Sequence, residues 1–544
     1  MRFPFLFTTL IVGALVACTT NSPAPIPSAD SENIRVHVEY LASDALAGRD
    51  TGSRGYREAA DYVAREFERM GLQPAGEQGY LQQVPLVKAS WGGHVPTLVL
   101  QGRDGDITFH FGEDFVASPP THSESTATAA GLVFVGFGIQ APEYGIDDYK
   151  DLDVEGKIVV LLSGRPQKLP NEVGAHYASS RTKRETAARH GAVGYITLNT
   201  PQREQRWSFK RSLEHLDDDN LDWLGDKGVP GNSLPGLHPG VLMDIGPARQ
   251  LFVGAERSLD AIFTEMENGL VPRGFPLPYR AKMTSGSTHA MIDSPNVVAL
   301  LPGSDPQLKN EYVVFSAHLD HIGVDKNGAI HNGAQDNAAG IAVMLETARL
   351  FAESGRAPRR SLLFVAVTGE EKGLLGSDYF AHHPPVPTHA IVANLNLDMP
   401  MLLYPFKDII AFGAEHSTLG RTAARAAENA GLKLSPDPMP EQVIFVRSDH
   451  YNFVRQGIPA IYLISGREAR DPEVDGTQMQ TTFLKERYHR ASDEADEQIS
   501  YTAAKQFTEV NYAIAREVAD ADEKPHWYSG DFFGELFGRE NTVH

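Results

Sequence analysis

The sequence predicts an α/β chain: a central, largely parallel or mixed sheet flanked by helices, interrupted by a mainly β unit. Three observations predict it. After about residue 279, short uninterrupted apolar runs alternate with helical stretches, which is the pattern of buried strands joined by crossover helices. From about Trp91 to Pro278 the texture changes to short β-type runs broken by Gly, Asp and Pro, as expected of a separate inserted domain. The 544 residues, 42% of them hydrophobic, supply a large core and more than one domain.

The elements follow in chain order. "MRFPFLFTTLIVGALVAC" carries one Arg, an apolar stretch too short to span a bilayer and small residues before Cys18, and so reads as a signal peptide over residues 1–17. Leu15-Val16-Ala17-Cys18 resembles a bacterial lipoprotein lipobox, which implies cleavage before Cys18 and acylation of its thiol. Residues 18–32 then form the lipidated cysteine and a Pro/Ser/Ala-rich tether. Thr19, not Asp, follows the cysteine, so the resemblance implies an exported, periplasm-facing lipoprotein at the outer membrane, attached only by that lipid. Cys18 is the single cysteine, so disulfides and thiolate catalysis are excluded. The net charge of −21 argues against nucleic acid, whose phosphates need a basic face.

Residues 33–90 open the first part of the α/β body. Residues 33–73 read as helical, with "SRGYREAADYVAREFERMGL" stopping at Gly71, and "YLQQVPLV" reads as a strand. The insert, residues 91–278, holds "PTLVLQ", "ITFHF", "AGLVFVGFGI" and "KIVVLLSG" as strands and "SSRTKRETAARHGAVGYITL" as a helical stretch. Residues 279–520 return to the body. Its strand candidates are "NVVALLPG", "YVVFSAHLD", "SLLFVAVTGEE", "AIVANLNLD" and "PAIYLISG", with "NAAGIAVMLETARLFAESG" and "TLGRTAARAAENAG" among the helices. Residues 521–544 form an aromatic tail expected to pack on the protein.

The chemistry sits where the strands stop. "VVFSA" runs into His318-Leu319-Asp320, "LLFVAVTG" into Glu370-Glu371, and "IVANLNL" into Asp398. In an open α/β sheet, ligands bind outside the carboxyl ends of the strands. "HNGAQDNAAGIAVMLE" puts Asp336 just before an amphipathic helix, where the helix dipole favours a carboxylate. "RYHRASDEADE" adds His489. His318, Asp336, Glu371, Asp398 and His489 are therefore five candidate metal ligands of the His/carboxylate type that suits zinc, with cobalt or manganese as substitutes. His321 and His331 lie close by and read as supporting or loop residues. Asp449 and His450 read equally as outer groups or turn formers. No HExxH helix is present, which excludes a single-zinc site of that type.

"SAHLDHIG", "NGAQDNAAG", "TGEEKGLLGS", "NLDM" and "YHRASDE", in that order, resemble the motifs of the M28 metallopeptidases, the two-zinc aminopeptidases and their relatives. "RSDHYNFVRQGIPAIYL" resembles the stretch that precedes the last motif. The resemblance covers roughly residues 33–90 and 279–520 and implies a zinc-peptidase fold. "GLVFVGFGIQAP" and "DLDVEGKIVVLLSG" resemble an inserted protease-associated (PA) domain. Residue by residue, the resemblance implies that Asp336 bridges two zinc ions, that His318 and Asp398 complete one site, and that Glu371 and His489 complete the other. Glu370 matches the general base and Asp320 the outer carboxylate that orients His318. Gln335 stands where many members have a second Asp. The expected substrate is a peptide with a free N-terminus. Three other functions stay open: a carboxypeptidase using Arg447, Arg467, Arg487 or Arg490, an acyltransferase of the glutaminyl-cyclase type, and a non-catalytic peptide-binding protein. Oligomeric state is not legible.

Overall fold

The computed structural model describes residues 27–103 and 105–538. The signal segment, Cys18 and most of the tether lie outside the described residues. The α/β body is built on a sheet in the order Gln73–Pro74, Asn296–Leu301, Ser361–Val367, Tyr312–His318, Ile391–Leu397, Ala460–Ser465, Asp408–Phe412, Lys433–Ser435. Leu81–Gln82 pairs with Asn296–Leu301 from outside that path. The four central strands, Ser361–Val367 to Ala460–Ser465, are mutually parallel. Antiparallel partners flank them on both sides, so the sheet is mixed.

The uninterrupted apolar runs have a direct cause. Val313, Phe315 and Ala317 face one core with Leu362, Phe364 and Ala366, while Val314 faces the other with Leu363, Val365 and Val367. Alternate residues point to opposite faces, and both faces are covered. The first face carries the helices Ser31–Leu41, Arg54–Arg69, Ala339–Glu353, Thr418–Asn429 and Tyr501–Asp520. Helix Arg54–Arg69 buries Tyr56, Ala59, Ala60, Val63 and Phe67, a stripe at helical spacing, and Ser53 accepts the Tyr56 N–H at its start. The core of the second face runs without interruption into the insert, joining Leu363, Phe380 and Phe453 to Leu132, Val160 and Phe252.

The insert contains an eight-stranded sheet drawn only from residues 97–286. Its last long strand, Phe275–Gly286, runs through the position expected as the second boundary. Pro85–Ser90 and Thr288–Asp293 pair antiparallel where the chain enters and leaves, and Asn220–Trp223 joins them.

Several elements differ from expectation. The helical reading of 33–73 divides into two helices around a turn at Asp44–Arg49. "YLQQVPLV" divides between two sheets, Leu81–Gln82 in one and Pro85–Ser90 in the other. "SSRTKRETAARHGAVGYITL" is helical only over Ser180–Arg189; Gly191, at φ 75°, ends the helix, and Gly194–Leu198 is a strand parallel to Ile158–Leu162. Asp408–Phe412 and Lys433–Ser435 are strands that short runs did not reveal. The tail packs as expected: Phe533 is fully buried and Trp527 donates to the Gly457 carbonyl.

Candidate metal centre

Three parallel neighbours in the sheet stop at one edge. Tyr312–His318 ends in His318, with Asp320 and His321 in the turn beyond. Ser361–Val367 runs through Thr368 and Gly369 into Glu370 and Glu371, and Ile391–Leu397 runs into Asp398. Gly369 has φ 65°, a conformation that costs a residue without Cβ little, and it lets the chain swing the two glutamates in different directions. Asp336 lies in the irregular turn Ala334–Ala338 that feeds the buried helix Ala339–Glu353. The Asp336–Asn337 peptide is cis. His489 reaches the same point from the loop after helix Gly476–Glu486.

All five expected ligands converge. His318 Nε2 lies 3.1 Å from Asp336 Oδ1 and 3.2 Å from Asp398 Oδ1. His489 Nε2 lies 3.2 Å from Asp336 Oδ2 and 3.2 Å from Glu371 Oε2. Each oxygen of Asp336 therefore faces a different imidazole. Tetrahedral ligation at roughly 2.0 Å per bond separates neighbouring donor atoms by about 3.3 Å, so these spacings fit a divalent cation in each half. The charge also fits. Asp336 and Asp398 are buried and Glu370 and Glu371 half-buried beside them, a crowding of carboxylates whose cost calls for positive charge. Burial alone would lower the His489 imidazole, yet Glu371 and Asp336 carry it up to about 10.

The adjacent glutamates are shifted in opposite directions. Burial pushes the Glu370 carboxyl well above the usual range against the pull of His318, and Asp398, Glu371 and Asp449 add to the rise. Burial would also raise Glu371, but His489 and His321 outweigh it and hold that carboxyl well below the usual range. The side chains close enough to share a metal ion form two clusters, His318–Asp336–Asp398 and His321–Asp336–Glu371, with His489 beside the second at 3.2 Å from both carboxylates; Glu370 belongs to neither cluster.

The surroundings explain the positions. Asp320 is fully buried, and its two oxygens accept the N–H groups of Glu370 (3.1 Å) and Glu371 (3.3 Å). The contact expected between its carboxylate and His318 is instead made by its carbonyl, 3.1 Å from His318 Nδ1; the nearest carboxylate oxygen is 3.9 Å away. Asp320 thus braces the glutamate turn as well as the imidazole.

Four further residues at the centre did not emerge from the sequence as site residues. His321, read there as a supporting residue, is buried with Nδ1 2.8 Å from Glu371 Oε1, which leaves Glu371 Oε2 to face His489. Asp493 accepts the N–H groups of Gln335 and Asp336 and so fixes the shared carboxylate; it lies inside "YHRASDE", four residues beyond His489. Ser448 donates to Asp398 Oδ2 at 2.6 Å from within "RSDHYNF". Arg49, wholly buried, donates to the carbonyls of Leu319, Asn332 and Gly333 and ties together the loops that carry His318 and Asp336. Gln335, the departure noted in the sequence, accepts the Leu402 N–H through its side-chain oxygen.

Two cavities meet at Glu370. One, about 590 Å³, runs between the insert and the body past Lys372, Tyr488 and His489. The other, about 500 Å³, lies beside Asp336 and Asp398 with Met399, Met401 and Ile464 in its wall.

Comparison with known proteins agrees with this geometry. Residues 296–515 match the model of peptidase family M28. Leupeptin-inactivating enzyme 1 of Streptomyces exfoliatus is 30% identical over 196 residues, 36% of this chain and 40% of that one. Carboxypeptidase Q of Xenopus laevis is 33% identical over 120 residues, 22% of this chain and 24% of its own. The matches thus span less than half the length of these curated relatives. Among solved structures, the aminopeptidase from Aneurinibacillus sp. strain AM-1 shares the fold with a TM-score of 0.52 at 20% identity, over 91% of this chain and 96% of that one.

Proposed function

We propose, with residues 296–515 a domain of peptidase family M28, that the protein is a zinc-dependent exopeptidase removing the N-terminal residue of peptides. The observation that carries the reading is Asp336, whose two oxygens face two separate imidazole–carboxylate sets. His318 and Asp398 would hold one zinc ion and Glu371 and His489 a second, with Asp336 shared; cobalt or manganese suit the same donors. Such a pair of cations supplies Lewis acidity, polarising the scissile carbonyl and bringing the pKa of a water towards neutrality.

The rest of the work falls to the chain. Glu370 stands where the two cavities meet and takes the proton from the attacking water. As the C–N bond breaks, it returns that proton to the leaving amine. Asp320, through the N–H groups of Glu370 and Glu371, keeps the base at a fixed distance from the donors. The carboxylates around Asp336 give the substrate's cationic α-amine a favourable neighbourhood. The leader residues extend the proposal to an exported lipoprotein facing the periplasm.

A carboxypeptidase is the second reading, favoured by Arg447 and Arg490 in the wall of the cavity beside Asp398. Arg487 is paired with Asp496 and Arg467 bonds Gln480, so those two are engaged elsewhere. Peptides blocked at one end separate the readings. N-acetylation is expected to abolish cleavage and C-terminal amidation to be tolerated; the reverse pattern overturns the aminopeptidase reading. Chelation should stop turnover and added zinc restore it.

A further inference from the structure

The cavity beside Asp398 has a wall of one sign. Its acidic lining residues, Asp336, Glu370 and Asp398, all belong to the donor cluster or the base. Its remaining charged residues are Arg206, Arg211, Arg447, Lys485 and Arg490. They come from separate parts of the chain: two from the insert, one from the loop before helix His450–Arg455, and two from the end of helix Gly476–Glu486 and the loop after it. The chain as a whole carries −21, and many of its arginines elsewhere are neutralised, as Arg349 is by Glu346 and Glu353 and Arg359 by Asp305 and Asp522. Of these five cations, the one in an ion pair among the described residues is Arg206, with Glu441 at 4.0 Å.

An aromatic ring organises part of this wall. Trp207 of the insert lies under the guanidinium groups of Arg211, at 4.3 Å, and Arg447, at 5.5 Å. Stacking holds a guanidinium flat and leaves its N–H edge free for a carboxylate. Arg447 makes only long contacts besides, to the Gln442 carbonyl at 3.5 Å and the Tyr488 hydroxyl at 3.4 Å. The neighbouring Arg203 guanidinium is lowered first by burial and then by the positive charge of Arg447. Gathered like charges are unfavourable in the empty site and favour an incoming anion. Met399, Met401, Ile444, Ile464 and Leu484 line the same space, so an apolar stem with an anionic end matches it.

We infer that this cavity selects substrates bearing a carboxylate close to the scissile bond, with Arg211, Arg447, Lys485 and Arg490 recognising it and Trp207 of the insert positioning two of them. The inference rests on the hydrolytic reading of the adjacent centre. It gives the insert a role in specificity. The carboxylate is either an acidic side chain or the free C-terminus of a very short peptide; both present the same planar anion.

Zinc-loaded mature protein is compared on leucyl-alanine amide, leucyl-glutamate α-amide, glutamyl-alanine amide and leucyl-alanine with a free C-terminus. At low ionic strength at least one carboxylate-bearing substrate is expected to exceed the neutral amide in kcat/KM by about tenfold or more. The glutamate substrates against free leucyl-alanine tell side chain from C-terminus. Added salt should shrink the preference. Arg447→Ala, Arg211→Ala and Trp207→Ala should each lower the acid-to-neutral ratio. Equal kcat/KM on neutral and acidic substrates overturns the inference. N-acetylated substrates that are cleaved with the acid preference intact overturn the aminopeptidase reading and support carboxylate recognition. Calorimetric binding of glutarate, absent for its diamide and weakened in the Arg211→Ala/Arg447→Ala double variant, reads the same recognition without turnover; glutarate that fails to bind, or binds both proteins equally, overturns it.

Discussion

The space beside Glu370 has two walls that differ in every physical respect. The donor wall is negative and set on the ends of central parallel strands and on two loops, with its backbone N–H groups held by Asp320 and Asp493 and the Asp398 carboxylate held by Ser448. The cationic wall is positive and largely exposed, and it is carried by loops, a helix end and the insert. Under the proposed hydrolytic function the contrast separates two tasks. Bond-breaking needs atoms fixed to tenths of an ångström, which a sheet edge provides. Choosing a substrate needs only complementary charge at the end of adaptable side chains, which peripheral elements provide.

The contrast can be broken hardest at Glu371. Glu371→Ala should lose about half of the bound metal and with it turnover, read by atomic absorption beside a peptidase assay. Full metal content in that variant would mean that Glu371 is not a ligand. Glu370→Gln should instead keep the wild-type metal content while kcat falls by about 10²–10⁴-fold, the usual worth of a general base. A variant that sheds metal would put Glu370 among the ligands. Asp493→Ala tests whether the bracing matters: with the Gln335 and Asp336 N–H groups released, metal affinity should weaken by roughly 10–100-fold in a competitive chelator titration.

A different readout, stability against pH, concerns how the two walls are held together. His416 of the body lies between Glu172 of the insert and Asp531 of the tail, 2.6 Å from each. Burial lowers this imidazole, but the two carboxylates prevail and carry it from 6.5 to about 9. A group raised in the folded state contributes fully below its unfolded pKa and loses that contribution as pH rises through the folded one. The His416 contribution, about 3 kcal/mol, is therefore present below about pH 6.5 and disappears above about pH 9. His416→Gln should flatten the decline of Tm over that window. An unchanged pH profile would remove His416 from the account.

Much of the donor wall was legible because its residues stand at strand ends and inside short motifs. An uninterrupted apolar run names a buried strand, and the polar residue that stops it names the edge. Ser448 and Asp493 were quoted within motifs yet had no visible role, because a hydrogen bond to a residue 50 or 157 positions away leaves no local pattern. Arg49 was hidden for the same reason: a buried arginine and a surface arginine look alike in sequence. The cationic wall was legible only in part. Arg447 and Arg490 drew notice, whereas Trp207 and Arg211 sit in a short polar helical stretch of the insert and its neighbour, with nothing to mark the surface they meet.

The sequence alone pointed to the α/β class and the five candidate donors through periodicity, strand endings and residue chemistry, whereas the division of the glutamate pair came from the resemblance of "TGEEKGLLGS" to the M28 motifs. Tertiary structure decided which oxygen of Asp336 faces which imidazole, that Asp320 braces the glutamate turn through backbone N–H groups, and that the insert brings Trp207 over the cavity beside Asp398. The physical reason is that chemistry is encoded by residue type within a few positions, whereas charge complementarity across a cavity depends on the packing of segments more than 200 residues apart.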